Sequence, residues 1–220
     1  MILENISTYL QKGKATEVKN FVQDALDQNI EPQEILNEGL IKGMTIIGGK
    51  FKRNEVFVPE VLVAARAMNA GLQILKPILV AKGAKAIGKA LVCTVQGDLH
   101  DIGKNLVKMM IEGQGIECID LGVDCSPEKV VESVILYEPD IVCLSALLTT
   151  TMMNQKVVID ELNKANVKKN VKVLIGGAPV TQSFADEIGA DGYAPDAASA
   201  AELAVEFIKI RRAENICLKN

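Results

Sequence analysis

From residue 89 onward the chain alternates between two hydrophobic patterns, and this alternation constrains the fold more than any other feature. Short apolar runs predict strands near 89–95, 116–121, 140–145, 171–175 and 191–194. Between and after them, apolar residues at helical spacing predict helices near 102–114, 127–137, 152–166, 181–188 and 197–211. Five such units in succession predict a parallel sheet with helices on both faces. We predict the strand order 2-1-3-4-5, which places a ligand crevice between the first and third strands.

The segment that precedes this alternation contains only helical patterns. Apolar residues recur at steps of three and four on either side of a break at Gly13. Pro32 suits the first turn of a third helix, which the pair Gly48-Gly49 is expected to end. A fourth helix is expected from Pro59 to Pro77. We therefore predict a four-helix bundle over 1–86, a linker near 82–85 and an α/β domain over 87–220.

Composition excludes several classes of function. A net charge of −4 and a pI near 5.2 do not suggest a nucleic-acid partner. No apolar run reaches the roughly 18–20 residues that a membrane-spanning helix needs. The five cysteines show no CxxC spacing, and the first residues show no secretory signal pattern. These features predict a cytoplasmic protein without a membrane or nucleic-acid partner.

The only histidine of the chain, His100, lies in the turn between the first predicted strand and its helix. The turn reads Gly97-Asp98-Leu99-His100-Asp101-Ile102-Gly103. His100 is either a solvated loop residue or a ligand to a metal or cofactor. In an extended segment, Asp98 points the same way as His100 and can orient the imidazole. A single histidine ligand suits a large cofactor that brings its remaining ligands with it.

Three motifs resemble the signature of corrinoid (cobalamin) binding domains. They are Asp98-x-His100-x-x-Gly103, Ser145-x-Leu147 and Gly176-Gly177, each following a predicted strand and in the order of that signature. Nearly the whole chain resembles the corrinoid proteins of anaerobic methyltransferase systems. These are similar to the cap and cobalamin-binding module of methionine synthase. The resemblance implies a helical cap followed by a flavodoxin-like (Rossmann-like) domain.

The resemblance also implies roles for individual residues. His100 becomes the lower axial ligand of cobalt, with Asp98 and Thr151 completing a relay behind it. The family usually has a serine where this chain has Thr151. The remaining expected cofactor contacts are Asp101, Gly103, Ser145, Leu147, Thr149, Gly176, Gly177 and Tyr193 in the α/β domain, and Phe51, Phe57, Val58 and Val61 in the cap. Each has a structural alternative: a strand end with a helix cap, a plain turn, or ordinary core.

The function implied by the resemblance is methyl transport. The chain is expected to carry a methyl group on cobalt from a substrate-specific methyltransferase to an acceptor methyltransferase, with a reductive activator, and not to catalyse alone. The sequence leaves open whether the donor is a methylamine, methanol, a betaine or an aryl methyl ether. A corrinoid-dependent sensor is the main alternative. A mutase subunit or a flavodoxin-like protein for another nucleotide is less well supported.

Overall fold

A computed structural model describes residues 1–82 and 86–217 of the chain. The chain forms two compact units, Met1–Ala86 with Gly113–Gly115, and Ile87–Glu112 with Ile116–Asn220. The predicted linker lies largely outside the described residues, and the assignment of the first unit as a cap stays a prediction. Within the described residues, no helix has both the length and the apolar character needed to cross a membrane.

The first unit consists of four helices over residues 1–82, which confirms the predicted bundle. Their buried residues recur at the predicted spacing: Ile6 and Leu10, Val18 and Val22, Ile35 and Leu40, and Val61 and Leu75. A Cβ on Gly43 would lie 3.2 Å from backbone atoms of Ser7, so a glycine lets the first and third helices pack closely. The helices are α1 (Ile2–Gln11), α2 (Ala15–Asp27), α3 (Pro32–Glu34, continuing through a π-helical segment, Ile35–Ile41, into Lys42–Lys52) and α4 (Val58–Ala81).

Two predicted helix ends in this unit are wrong. Helix α3 passes through Gly48-Gly49 to Lys52, because neither glycine adopts the left-handed backbone that ends helices. Asn54 adopts it instead, with a φ of 57°, and the following amide of Glu55 donates to the Lys50 carbonyl. Helix α4 continues past Pro77 to Ala81, since a proline removes one helical hydrogen bond without ending a well-packed helix.

The second unit is a five-stranded parallel sheet in the order β2-β1-β3-β4-β5, which confirms the predicted fold and topology. The apolar strands β1, β3 and β4 lie in the middle and are buried almost throughout. The strands are β1 (Lys89–Val95), β2 (Glu117–Cys125), β3 (Ile141–Ser145), β4 (Lys172–Gly176) and β5 (Gly192–Tyr193). The helices are α5 (Ile102–Glu112), α6 (Pro127–Tyr137), α7 (Met153–Lys164), α8 (Gln182–Ile188) and α9 (Ala197–Cys217).

Strand β2 runs four residues further than the sequence predicted, to Cys125. Its pairing with β1 shifts register on both sides of Cys93, which marks an irregular, bulged end. Gly122 and Asp124 have positive φ angles of 88° and 50° there. Helix α6 then begins as predicted, with the Ser126 hydroxyl accepting a hydrogen bond from the Lys129 amide at 3.3 Å. The bulge turns polar groups of β2 toward the end of β1.

Candidate cofactor-binding site

A buried carboxylate forms the centre of the site at the carboxyl end of β1. Asp98 is 0% exposed, although the residues on either side of it are exposed. Its Oδ1 accepts the backbone N–H of His100 at 3.1 Å and lies 2.7 Å from His100 Nδ1. Its Oδ2 accepts the backbone N–H of Leu147 and the hydroxyl of Thr151, both at 2.7 Å. The carboxylate therefore joins the His100 turn to the loop that follows β3.

These hydrogen bonds determine the charge of Asp98. Burial raises the pKa of a carboxyl group, but hydrogen bonds from Thr151, Leu147 and His100 outweigh it and hold the Asp98 pKa well below its usual range. Asp98 is thus ionised at neutral pH and can only accept hydrogen bonds. His100 Nδ1 must carry the hydrogen that it shares with Asp98.

The other ring nitrogen of His100 is free to bind. With Nδ1 protonated, the neutral imidazole has its lone pair on Nε2. The side chain is 51% exposed, and Nε2 has no hydrogen-bond partner in the described part of the chain. A histidine whose second nitrogen donates to a carboxylate is the usual arrangement of a metal ligand. His100 would therefore be able to hold a metal through Nε2.

Two polar side chains that the sequence analysis did not single out hold the backbone of the turn. The Thr94 hydroxyl donates to the carbonyl of His100 at 2.8 Å, and Thr94 is wholly buried at the end of β1. The side-chain amide of Asn154, on α7, donates to the carbonyl of Gln96 at 2.7 Å. Both act on backbone atoms, and so no motif in the sequence pointed to them.

Asp124 holds the same turn from the bulged end of β2. Its Oδ1 accepts the N–H of Gly97 at 2.7 Å, and its own N–H donates to the carbonyl of Asp98 at 3.0 Å. The sequence analysis missed it because β2 was predicted to end at residue 121. An acidic residue at the carboxyl end of a parallel strand is the signal that the correct strand length would have provided.

The ends of β3 and β4 meet beside the turn, where Ser145 pairs with Gly176. Gln155 joins these ends, since its Nε2 donates to the carbonyls of Leu144 and Gly176, both at 3.0 Å. Its Oε1 is buried and has no partner within the described residues. Gly177 has a φ of 130°, and a Cβ there would lie 1.7 Å from the Ala146 carbonyl oxygen. No residue with a side chain fits that position without moving the backbone.

The structure places the other residues predicted in the α/β domain as follows. Asp101 is exposed, and its Oδ2 accepts from the Asn105 amide at 3.0 Å. Gly103 is exposed and has no atom within 4 Å of the position of a Cβ. Thr149 is exposed in the loop after β3. Tyr193 is half-buried and packs against the core of the sheet. Cofactor contacts for all four residues stay predictions.

The residues predicted to cap the cofactor lie at the end of α3 and the start of α4. Phe57 is 62% exposed, an unusual state for a large aromatic ring. Phe51 and Val58 are half-buried, whereas Val61 is wholly buried. Val61 therefore contributes to core packing, and its contact with a cofactor stays a prediction with those of the other three.

The surroundings of His100 fit a large ring with apolar edges. Leu99 and Ile102 on either side of it are 72% and 76% exposed, and Leu147 and Leu148 of the adjoining loop are also exposed. Exposed leucine and isoleucine side chains grouped around a polar group are typical of a ligand site. The free Nε2, the apolar surroundings and the open space at Gly103 together suit a corrinoid, whose macrocycle supplies the other metal ligands.

Comparison with known proteins identifies the class to which this fold and site belong. Residues 88–202 match the family of B12 binding domains, and residues 2–76 match a second family with the same description. The chain belongs to this family of corrinoid proteins.

Its relatives include a corrinoid protein of Desulfitobacterium hafniense, 40% identical over 94% of this chain and 97% of that protein. Monomethylamine corrinoid protein 1 of Methanosarcina acetivorans is 38% identical over 94% and 98%. Among solved structures, the methanol:cobalamin methyltransferase complex of Methanosarcina barkeri has a chain that is 30% identical, with a TM-score of 0.83 over 94% of this chain and 80% of that one. A cobalamin-binding protein of D. hafniense is 28% identical, with a TM-score of 0.80 over 93% and 98%.

Proposed function

We propose that the chain is a methyl carrier that holds a corrinoid with His100 as the lower axial ligand of cobalt. The observation that supports the proposal is the hydrogen bond between the buried Asp98 carboxylate and His100 Nδ1. This hydrogen bond leaves Nε2 of an exposed imidazole free. The corrinoid supplies the cobalt to which a methyl group is transferred. Membership of the family and similarity to corrinoid proteins of methylamine and methanol methyltransferase systems support this function.

The residues behind His100 control how strongly it binds the metal. Asp98 shares the Nδ1 hydrogen and raises the basicity of Nε2. Thr151 donates to the opposite oxygen of Asp98, so it stabilises the ionised form of the carboxylate. With its Nδ1 hydrogen held by Asp98, His100 would hold the metal through Nε2, and loss of either hydrogen bond to Asp98 would weaken that hold.

The glycines and small residues after β3 and β4 suit the nucleotide arm of the corrinoid. Gly176 and Gly177 bring no side chains to the end of β4, and Ser145 pairs with Gly176. In this proposal the arm lies along these ends, and Leu147 and Thr149 contact it from the loop after β3. The apolar residues predicted for the cap, Phe57 among them, would exclude water from a bound corrinoid.

The partners proposed are a substrate-specific methyltransferase, an acceptor methyltransferase and a reductive activator, in the cytoplasm. Two relatives are named for monomethylamine and for methanol:cobalamin methyltransferase systems. A methylated amine or alcohol is therefore the donor class that we propose to test first. No residue of this chain is assigned to binding the donor.

The test is to reconstitute the full chain with hydroxocobalamin and record its visible spectrum. We expect wild type to show the spectrum of a histidine-bound, base-off corrinoid, His100→Ala to lose it, and added imidazole to restore it. Gln96→Ala changes an exposed side chain in the same turn and should leave the spectrum unchanged. If His100→Ala binds the corrinoid with the wild-type spectrum, His100 is not the ligand.

A second measurement separates a carrier from a sensor. The loaded protein is reduced and mixed with methylamine or methanol, with and without a methyltransferase of a methylamine or methanol system. Spectral conversion that requires the methyltransferase supports a carrier. Conversion without any added protein indicates a complete enzyme, and corrinoid binding with no conversion under either condition favours a sensor.

A further inference from the structure

A polar cleft of about 250 Å³ opens at the amino-terminal end of β4, at the opposite end of that strand from Gly176. Its walls come from the end of α7, the turn before β4, the turn before β5 and the side of α9. We call it the basal cleft. Its lining residues are Asn163, Lys168, Lys169, Val171, Lys172, Asp191 and Arg211. The site proposed for the corrinoid uses none of them.

The basal cleft is positive in a chain whose net charge is −4. Four of its lining residues are cationic and one is anionic, and the Asp140 carboxylate pairs with Arg211 beside the cleft, which leaves two positive charges in excess. Lys168 and Lys172 both contact the Asp191 carboxylate. Lys169 is exposed and has no ion-pair partner in the part of the chain that the structure describes. The Lys168-Lys169 pair is also one of the few basic runs in the sequence.

The cationic side chains of the basal cleft are held in place and keep N–H donors that are not used within the protein. Lys168 and Arg211 have side chains only 16% and 19% exposed, which limits their motion. Arg211 Nη1 donates to the Pro139 carbonyl and to Asp140 Oδ1, each at 3.3 Å. A guanidinium has five N–H donors and an ammonium has three. Those two contacts of Arg211 and the single carboxylate of Asp191 leave most of these donors available to an anion.

We propose that the basal cleft binds a small ligand with two or more adjacent negative charges, of the diphosphate class. Its volume lies just below the roughly 300–1,000 Å³ of sites for drug-sized ligands, so a small molecule fits and a folded segment does not. Arginine and lysine together are the usual phosphate-binding pair, the first through its planar fork and the second as a point charge. Asp191 shows that one anionic group can engage two of the lysines at once.

The test is calorimetric titration of the full chain, with and without bound hydroxocobalamin, using pyrophosphate as the probe and orthophosphate for comparison. We expect saturable binding of pyrophosphate that is at least fivefold tighter than that of orthophosphate. Lys169→Gln removes one charge and Asn163→Asp adds an opposing one, and each should weaken pyrophosphate binding at least fivefold. Both residues are exposed, and thermal unfolding should confirm that both variants fold.

Lys156→Gln is the matched control, since Lys156 is a half-buried lysine of α7 outside the cleft, paired with Asp160. It should change the affinity less than twofold. The proposal is overturned if pyrophosphate does not saturate, or if the cleft variants bind it as wild type does. A hexaglutamate peptide is the further comparison. If it binds more tightly than pyrophosphate and loses affinity in the same variants, the cleft receives an acidic protein segment instead.

Discussion

At the scale of single residues, Asp98 determines more of the site than His100 does. The Asp98-x-His100 spacing predicted that the two side chains point the same way, and they lie 2.7 Å apart. The donors on the other oxygen, Leu147 and Thr151, lie 49 and 53 residues further along the chain. Local sequence reasoning cannot supply such contacts, and only the resemblance to a family pointed to Thr151. Asp124 and Gln155 belong to none of the three motifs and were missed.

The tautomer of His100 gives a direct test of this arrangement. At a pH well above the usual histidine pKa of about 6.5, we expect the neutral ring to carry its hydrogen on Nδ1. Nitrogen-15 NMR of the imidazole measures this without an assignment problem, because the chain has only one histidine. Asp98→Asn should shift the ring toward the Nε2–H tautomer, whereas Thr151→Ser should leave it as in wild type. An Nε2–H tautomer in wild type would contradict the proposed ligand role.

At the scale of helices and strands, the sequence predicted the middle of each element well and its first and last residues poorly. Strand β1 was predicted with its correct bounds because it is an uninterrupted apolar run. Gly48, Gly49 and Pro77 were read as helix ends, but tertiary packing overrides such local signals. The bulge of β2 has no signature in hydrophobic spacing, because its half-exposed residues follow neither a fully buried nor an alternating pattern. The part of the site that depends on the bulge was therefore not predicted from the sequence.

An ion pair between a buried lysine of α5 and a partly exposed aspartate of β2 is expected to stabilise the α/β unit. Lys104 Nζ, almost wholly buried, lies 2.7 and 2.8 Å from the two carboxylate oxygens of Asp120. Lys104→Met removes the charge and leaves Asp120 with Lys108 at 3.3 Å. Breaking a fully buried pair costs about 3–5 kcal/mol. Because Asp120 is partly exposed and keeps one cation, we expect a loss of about 2 kcal/mol in urea unfolding at pH 7.

The effect of Lys104→Met should depend on pH in a defined direction. Burial raises the pKa of Asp120, but hydrogen bonds from Lys104 and the Gly122 amide outweigh it and lower the pKa. A lowered pKa in the folded state stabilises the fold above the unfolded value near 3.9 and loses that effect as the pH falls. The difference between wild type and variant should therefore shrink below about pH 4. A difference that is constant from pH 7 to pH 3, or one equally large for Lys108→Met, would refute this role.

At the scale of the whole molecule, the order of three short motifs along the alternating strands and helices is what indicated a corrinoid-binding domain. Each motif alone is short enough to occur by chance, but Asp98-x-His100-x-x-Gly103, Ser145-x-Leu147 and Gly176-Gly177 lie at the carboxyl ends of β1, β3 and β4, which are neighbours in the sheet. A flavodoxin-like order brings the ends of these strands to one edge. The topology thus explains why elements so far apart in sequence form one site. The topology itself could be predicted because strict rules for the connections between parallel strands leave only a few possible strand orders.

Because the proposed ligand binds only the folded chain, it should stabilise the molecule by mass action. Hydroxocobalamin at 100 times its dissociation constant should add about 2.7 kcal/mol to the free energy of unfolding. For a chain of this length that raises the melting temperature by about 5–10 °C. Hydrogen exchange should show where the effect arises: amides of 97–103, 145–151 and 176–181 gain protection, while those of 165–171 at the basal cleft do not. His100→Ala should reduce both effects, and protection spread evenly over the chain would place the corrinoid elsewhere.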